Sequence, residues 1–177
     1  MLESIDIGGM RLYYGHHKPA EGGRYNPVIL LHPWFGCYQF WKHTVAALPE
    51  FETYVVDLYS IGASAGWQKF ASPEGLSRAV GMMLEALHVD QCSVIGNSMG
   101  GIAAQALAAR DVDRIKGLIL VGTGANTVGV KPEFRKTLDE WIAGGPDRAL
   151  TERLVGALLA RRPADPSEFE KIGRAHV

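Results

Sequence analysis

The 177-residue sequence predicts an α/β fold built on a mostly parallel, doubly wound sheet. Three observations carry this reading. Apolar, β-rich runs at 28–31, 53–57, 93–95 and 115–121 lack the polar alternation of a half-exposed strand, as expected where both faces of a parallel sheet are covered. Helical stretches separate these runs. The third run passes through a glycine-flanked turn directly into an Ala-rich helix. Such alternation implies right-handed crossovers, with ligands beyond the carboxyl ends of the strands.

The elements follow in order. Segments 4–7 and 10–14 alternate and are split by Gly8-Gly9, a pair that supplies positive φ, so they predict a β-hairpin. After strand 28–31 a helix is expected over 41–48, and after strand 53–57 another over 72–87. In the latter, Ser72-Pro73-Glu74 supplies an N-cap and a proline at the first helical position. A third helix is expected over 98–110. Beyond Val121, Gly122-Thr123-Gly124-Ala125-Asn126 reads as a loop, and 132–171 is helical in pattern with breaks at Gly144-Gly145-Pro146 and at 163–166. No internal repeat or low-complexity segment is present, so the loop at 122–131 is the one candidate boundary.

Composition bounds the partners. The chain is 47% hydrophobic and 21% charged, with a formal net charge of -1. Its Lys and Arg residues are scattered, which argues against nucleic acid or an anionic membrane as partner and favours a small, largely neutral substrate. Cys37 and Cys92 stand far apart, without the spacing of a disulfide framework or a zinc site. Met1-Leu2-Glu3-Ser4-Ile5-Asp6 has an acid where a secretory signal would carry basic residues and then an apolar run, and no stretch reaches the ~18 apolar residues of a membrane span. A cytoplasmic protein is expected, with neither cofactor nor metal implied.

Chemistry concentrates at Gly96-Asn97-Ser98-Met99-Gly100, between strand and helix. A nucleophile elbow needs a serine at a tight, strained strand-to-helix turn, with glycines two positions to either side so that strand and helix approach without intervening side chains. Gly100, Ala104 and Ala108 recur at i, i+4 and i+8 and form a small-residue face for packing on the sheet. Close packing brings the helix N-terminus to Ser98, where the dipole and free N–H groups favour the oxyanion of acyl transfer. Taken alone, the pattern is also compatible with a glycine-rich turn that binds phosphate or nothing.

A second motif, Leu30-Leu31-His32-Pro33-Trp34-Phe35-Gly36, ends an apolar strand about 65 residues earlier. Together the two motifs resemble the α/β-hydrolase family, whose corresponding loop usually begins His-Gly and donates one oxyanion-hole N–H. Asp57-Leu58-Tyr59-Ser60-Ile61-Gly62-Ala63-Ser64 looks like the family's Asp-x-x-Gly-x-Gly-x-Ser loop, and Ile119-Leu120-Val121-Gly122 follows the elbow helix. Two departures stand out. Pro33 replaces the usual glycine and has no N–H to donate, and Ser60 replaces the first glycine of the later loop. The resemblance therefore implies Ser98 as nucleophile, an oxyanion hole from the N–H groups of Trp34 and Met99, and His32 as a structural brace of that loop. Trp34, Phe35, Tyr38, Phe40 and Trp41 form an aromatic cluster suited to core packing, of which Phe35, with Asn97, is a candidate for lining the pocket. His16, His17, His43 and His88 read as generic surface histidines.

Serine needs a histidine to take its proton and an acid to hold that histidine, in the order Ser, acid, His in this family. The family places both after two further strands, and nothing beyond Val121 reads as a strand. Both residues are thus expected to be missing. Asp139, Asp147 and Asp165 fall in a region resembling the start of a helical lid and are not assigned to the triad. His176 is not assigned either, because Lys171-Ile172-Gly173-Arg174-Ala175-His176-Val177 resembles the translation of a sequencing adapter. The expected organisation is residues 1–124 as the N-terminal part of the core, 125–170 as the start of the lid and 171–177 as a non-native tail. The sheet would then be truncated before its last strands, and the fragment itself inactive. For the parent protein the implied activity is hydrolysis of a carboxylic ester or related small acyl substrate. Gly-Asn-Ser-Met-Gly-Gly also looks like the elbow of hydrolases that cleave C–C bonds in ring-fission products. A non-catalytic ligand-binding protein of the same fold is the remaining alternative.

Overall fold

The computed structural model describes residues 2–19, 22–34, 36–58, 72–124 and 131–144. Six strands form one sheet in the order β1-β2-β4-β3-β5-β6. Strands β1 (Leu2–Asp6) and β2 (Arg11–His17) make the expected hairpin. Gly8 at φ 68 and Gly9 at φ 86 set the paired positive dihedrals of a type I′ turn. The Asp6 carboxylate accepts the Gly9 N–H at 2.9 Å.

Strand β2 runs antiparallel to β4 (Thr53–Asp57), whereas β3 (Val28–Leu31) is parallel to both β4 and β5 (Cys92–Asn97), and β5 is parallel to β6 (Ile115–Val121). The chain winds from β3 to β4 on one side and then crosses to β5 and β6 on the other. The strand order therefore reverses between β3 and β5, and a crevice opens beyond the carboxyl ends of strands at such a point. Those ends are Leu31 and Asn97.

All four residues of β3 are buried. Period-two geometry divides them between two core clusters. Ile29 and Leu31 join Ala79, Val80, Met83 and Leu84 of α2 (Pro73–Ala86) and Ala103, Ala104 and Leu107 of α3 (Met99–Arg110). Val28 and Leu30 join Val55 and Trp41 in the other cluster. Helix α2 begins as expected: Ser72 is extended at φ -122, ψ 162 and its hydroxyl accepts the Gly75 N–H at 3.0 Å.

Three expectations are corrected. The helix expected over 41–48 is a 3-10 turn, Tyr38–Trp41, followed by the short α1, Lys42–Ala46. Pro49 disfavours helical backbone at Leu48, and Thr44 and Val45 are β-branched, so little drives a longer helix. Helix α3 starts at Met99 rather than Ser98, because Ser98 takes up a non-helical conformation as its N-cap. The third correction concerns the runs expected to be buried on both faces. Strand β5 alternates buried and half-buried residues, and β6 exposes Leu118, Ile119, Leu120 and Val121 by 39–54%. The reason is position: β6 is the last strand of the sheet among the described residues.

The chain divides into two compact units, Met1–Ala125 and Asn126–Val177. The sheet lies in the first. In the second the described residues form α4 (Pro132–Gly144), where Arg135 Nε donates to Asp139 Oδ1 at 3.2 Å. Asp147, Asp165, His176, the tail at 171–177 and positions 59–64 of the Asp57 loop lie outside the described residues.

Candidate active site

Ser98 sits at the carboxyl end of β5 with φ 50 and ψ -116. It and His88 are the non-glycine residues with positive φ among those described. An L-residue held there costs about 1–3 kcal/mol, and such outliers cluster at functional sites. Sterics explain the neighbouring glycines. A Cβ on Gly96 would stand 2.5 Å from the Gly100 carbonyl oxygen and 2.6 Å from Gly101 Cα, and one on Gly100 would collide with the carbonyl oxygens of Leu31 and His32. All of these are backbone atoms that cannot swing aside. The glycines thus let α3 meet the ends of β5 and β3 together, and the serine is the residue that turns the corner.

Hydrogen bonds hold the corner from β6. Ser98 N–H donates to the Val121 carbonyl at 3.0 Å, and the Asn97 side-chain amide donates to the same oxygen at 3.0 Å. The Thr123 hydroxyl donates to the Ser98 carbonyl at 2.7 Å. That carbonyl also accepts from Gly101 N–H at 2.9 Å and Ile102 N–H at 3.1 Å, which closes the first turn of α3. As the first helical residue, Met99 has no acceptor for its N–H inside the helix, so the N–H is available beside the serine, at the positive end of the dipole.

The second motif leaves the sheet one strand away, where Leu31 pairs with Gly96. His32 is completely buried. Leu58 N–H donates to its Nε2 at 2.9 Å, and Nδ1 lies 2.8 Å from the Pro33 carbonyl oxygen. A ring that accepts at Nε2 carries its proton at Nδ1, so Nδ1–H is the donor to Pro33. Asp57 Oδ1 lies 3.5 Å from the same Nε2. The Pro33 carbonyl accepts a second bond, from Gly36 N–H at 2.9 Å, closing a tight turn that carries the half-buried Trp34. Both ring nitrogens of His32 are therefore engaged in joining β3, its exit loop and the end of β4.

Cys37 follows this turn as a free thiol. Burial pushes its titration up, and nearby Asp57 adds to this, while hydrogen bonds to the Gln39 and Phe40 backbone pull the other way. Net upward, the shift keeps the thiol protonated near neutral pH. Phe35 lies outside the described residues. Asn97 reaches the end of β6 through its amide, and Thr123 and Gln105 are contributors that the sequence did not disclose. Their contacts span 25 and 19 residues and leave no local pattern. Among the described residues no group of three or more His, Cys, Asp or Glu could hold a metal ion, and no helix is long and apolar enough to cross a membrane.

A family model for the alpha/beta hydrolase fold matches residues 26–168. The chain is similar to pimeloyl-(acyl-carrier protein) methyl ester esterase of Cronobacter sakazakii, 28% identical over 149 residues that cover 77% of this chain and 55% of that protein. It is also similar to 2-hydroxymuconate semialdehyde hydrolase of Pseudomonas putida, 38% identical over 104 residues that cover 59% of this chain and 35% of that protein. Naproxen esterase from Bacillus subtilis superposes with a TM-score of 0.80 at 16% identity, covering 99% of this chain and 60% of that one. This chain thus matches about half or less of the length of these curated relatives.

Proposed function

This chain belongs to the α/β-hydrolase fold family, and from that premise we propose that it carries the nucleophile of a serine hydrolase acting on a carboxylic ester or related small acyl substrate. The observation that carries the proposal is the strained backbone of Ser98 at the switch point of the sheet, between glycines that only a close strand-to-helix contact requires. A binding loop has no need of such a conformation at a serine.

In this reading Ser98 Oγ attacks the substrate carbonyl while a general base takes its proton. The tetrahedral oxyanion is held by the N–H groups of Met99 and Trp34, each oxyanion-hole donor contributing on the order of 10²–10³ in kcat. Collapse expels the leaving group, which takes up the proton, and water attacks the acyl-enzyme to release the acid and free Ser98. His32 is not the base: its Nε2 accepts from Leu58 and its Nδ1 faces Pro33, so it braces the oxyanion loop. We place the catalytic histidine and its acid outside the described residues. We assign 1–124 to the core and 125–170 to the start of a lid that selects the substrate.

The Gly-Asn-Ser-Met-Gly-Gly elbow and the 38% identity to a 2-hydroxymuconate semialdehyde hydrolase favour a second substrate class, C–C bonds of ring-fission products, on the same nucleophile. Ser98→Ala in the native protein is expected to lower turnover of p-nitrophenyl esters by about a thousandfold or more. Unchanged turnover contradicts the proposal. If the wild type leaves esters intact but bleaches a ring-fission product, the second substrate class replaces the first. Stabilisation by such a compound with no product formed favours a non-catalytic binder.

A further inference from the structure

We infer that Thr123, at the exit of β6, is a positioning residue that locks the backbone of the nucleophile. The inference rests on the reading of Ser98 as nucleophile given above. A residue at φ 50 and ψ -116 persists only where its surroundings over-determine it. Besides the Gly101 and Ile102 N–H groups of α3 on the Ser98 carbonyl, one stretch of chain restrains the strained residue on both sides. Before Ser98 Cα, the Val121 carbonyl accepts the Ser98 N–H at 3.0 Å. After it, the Thr123 hydroxyl donates to the Ser98 carbonyl at 2.7 Å, while its other acceptor in reach, the Gly124 carbonyl, is 3.5 Å away. The single hydroxyl proton therefore goes to Ser98.

Two further contacts hold Thr123 in place. Gly101 is a notch for it: a Cβ at Gly101 would lie 2.6–2.9 Å from Thr123 Cγ2, Cβ and Oγ1. Gln105, one turn along α3, donates from Nε2 to the Gly124 carbonyl at 3.2 Å and to the Gly101 carbonyl at 3.3 Å, tying the loop to the helix. The second glycine after Met99 thus has a separate purpose from the first: Gly100 clears β3, and Gly101 admits Thr123. The Ser98 carbonyl belongs to the peptide unit that also carries the Met99 N–H. Holding that carbonyl fixes the direction of the N–H assigned to the oxyanion hole, and Thr123 reaches the reaction through Ser98 and Met99 without touching substrate.

The test is the rate at which a fluorophosphonate probe modifies Ser98 in the native protein and in Thr123→Val and Thr123→Ser. Thr123→Val keeps the shape and removes the donor; Thr123→Ser keeps the donor. The expected result is a three- to tenfold slower reaction for the valine variant, about what one hydrogen bond supplies, and a rate within about twofold of wild type for the serine variant. A wild-type rate in Thr123→Val, or equal slowing in both variants, overturns the inference and leaves Thr123 as packing alone. Should Thr123→Val fail to fold, Thr123→Ser against Thr123→Ala poses the same question, and the serine variant must react faster. Failure of the wild type to react contradicts the nucleophile reading instead. The brace is then judged from a crystal structure of Thr123→Val, in which Ser98 is expected to leave φ 50 and an unchanged dihedral overturns it.

Discussion

At the scale of single residues, the turn at Ser98 depends on where a side chain cannot exist. Gly100 has no room for a Cβ because the Leu31 and His32 carbonyl oxygens occupy the space, whereas Gly22 has nothing within 4 Å. Gly100→Ala is expected to destabilise the protein by at least about 1–3 kcal/mol, the cost of overpacking a site that cannot yield. Gly22→Ala should stay within about 0.5 kcal/mol of wild type; urea denaturation midpoints compare the two directly. The glycines flanking Ser98 were legible in the sequence because their spacing falls between an apolar strand and an Ala-rich helix, the context that an elbow requires. The structure supplies what spacing cannot, namely the atoms each glycine avoids. His32 was legible as a brace only by resemblance, and its bond from Leu58 N–H, 26 residues away, gives that role a physical content. Thr123 was read only as part of a loop, since a hydroxyl contact across 25 residues has no periodic signature.

At the scale of elements, legibility followed the strength of local signals. Ser72-Pro73 marked the start of α2, and the cap bond from Gly75 N–H forms as expected. Ser72→Ala should cost about 1 kcal/mol, read as a shift in thermal midpoint with the elbow unchanged. Helix α1 is shorter than the stretch 41–48 suggests, since Pro49 lies just beyond it and disfavours helical backbone at Leu48. The turn between α3 and β6 makes a prediction about pH. Arg110 donates to both carboxylate oxygens of Asp111, at 3.1 and 3.0 Å, and this holds the Asp111 carboxyl below its ordinary value despite partial burial, with the charges of Arg110 and Arg114 adding to the effect. A depressed carboxylate contributes stability that is fully present above its unfolded value and is lost as pH falls through the folded one. Asp111→Asn is therefore expected to flatten the acid limb of the stability curve below about pH 4, measured by urea unfolding from pH 2 to 7. An unaltered limb contradicts the assignment.

At the scale of the whole molecule, a mostly parallel, doubly wound sheet was implied by the alternation of strands and helices, while the strand order, with its reversal between β3 and β5, is read from the structure. The exposure of β6 departs from the two-sided burial that its apolar run suggests and agrees with a sheet expected to stop before its last strands, β6 being the last strand among the described residues. Leu118 to Val121 are apolar and exposed on β6, the last strand of the sheet among the described residues, and such an edge is a template for pairing with another chain. Ile119→Lys is expected to reduce concentration-dependent light scattering of the purified protein without a loss of secondary structure by circular dichroism; undiminished scattering contradicts that role for β6. The central claim is that this sheet exists to present Ser98 as a nucleophile. It is tested most directly by incubating the native protein with a fluorophosphonate and locating the adduct by peptide mass mapping. The account predicts one adduct, on the peptide containing Ser98, and its loss in Ser98→Ala. No adduct in the wild type, or one that persists in Ser98→Ala, contradicts it.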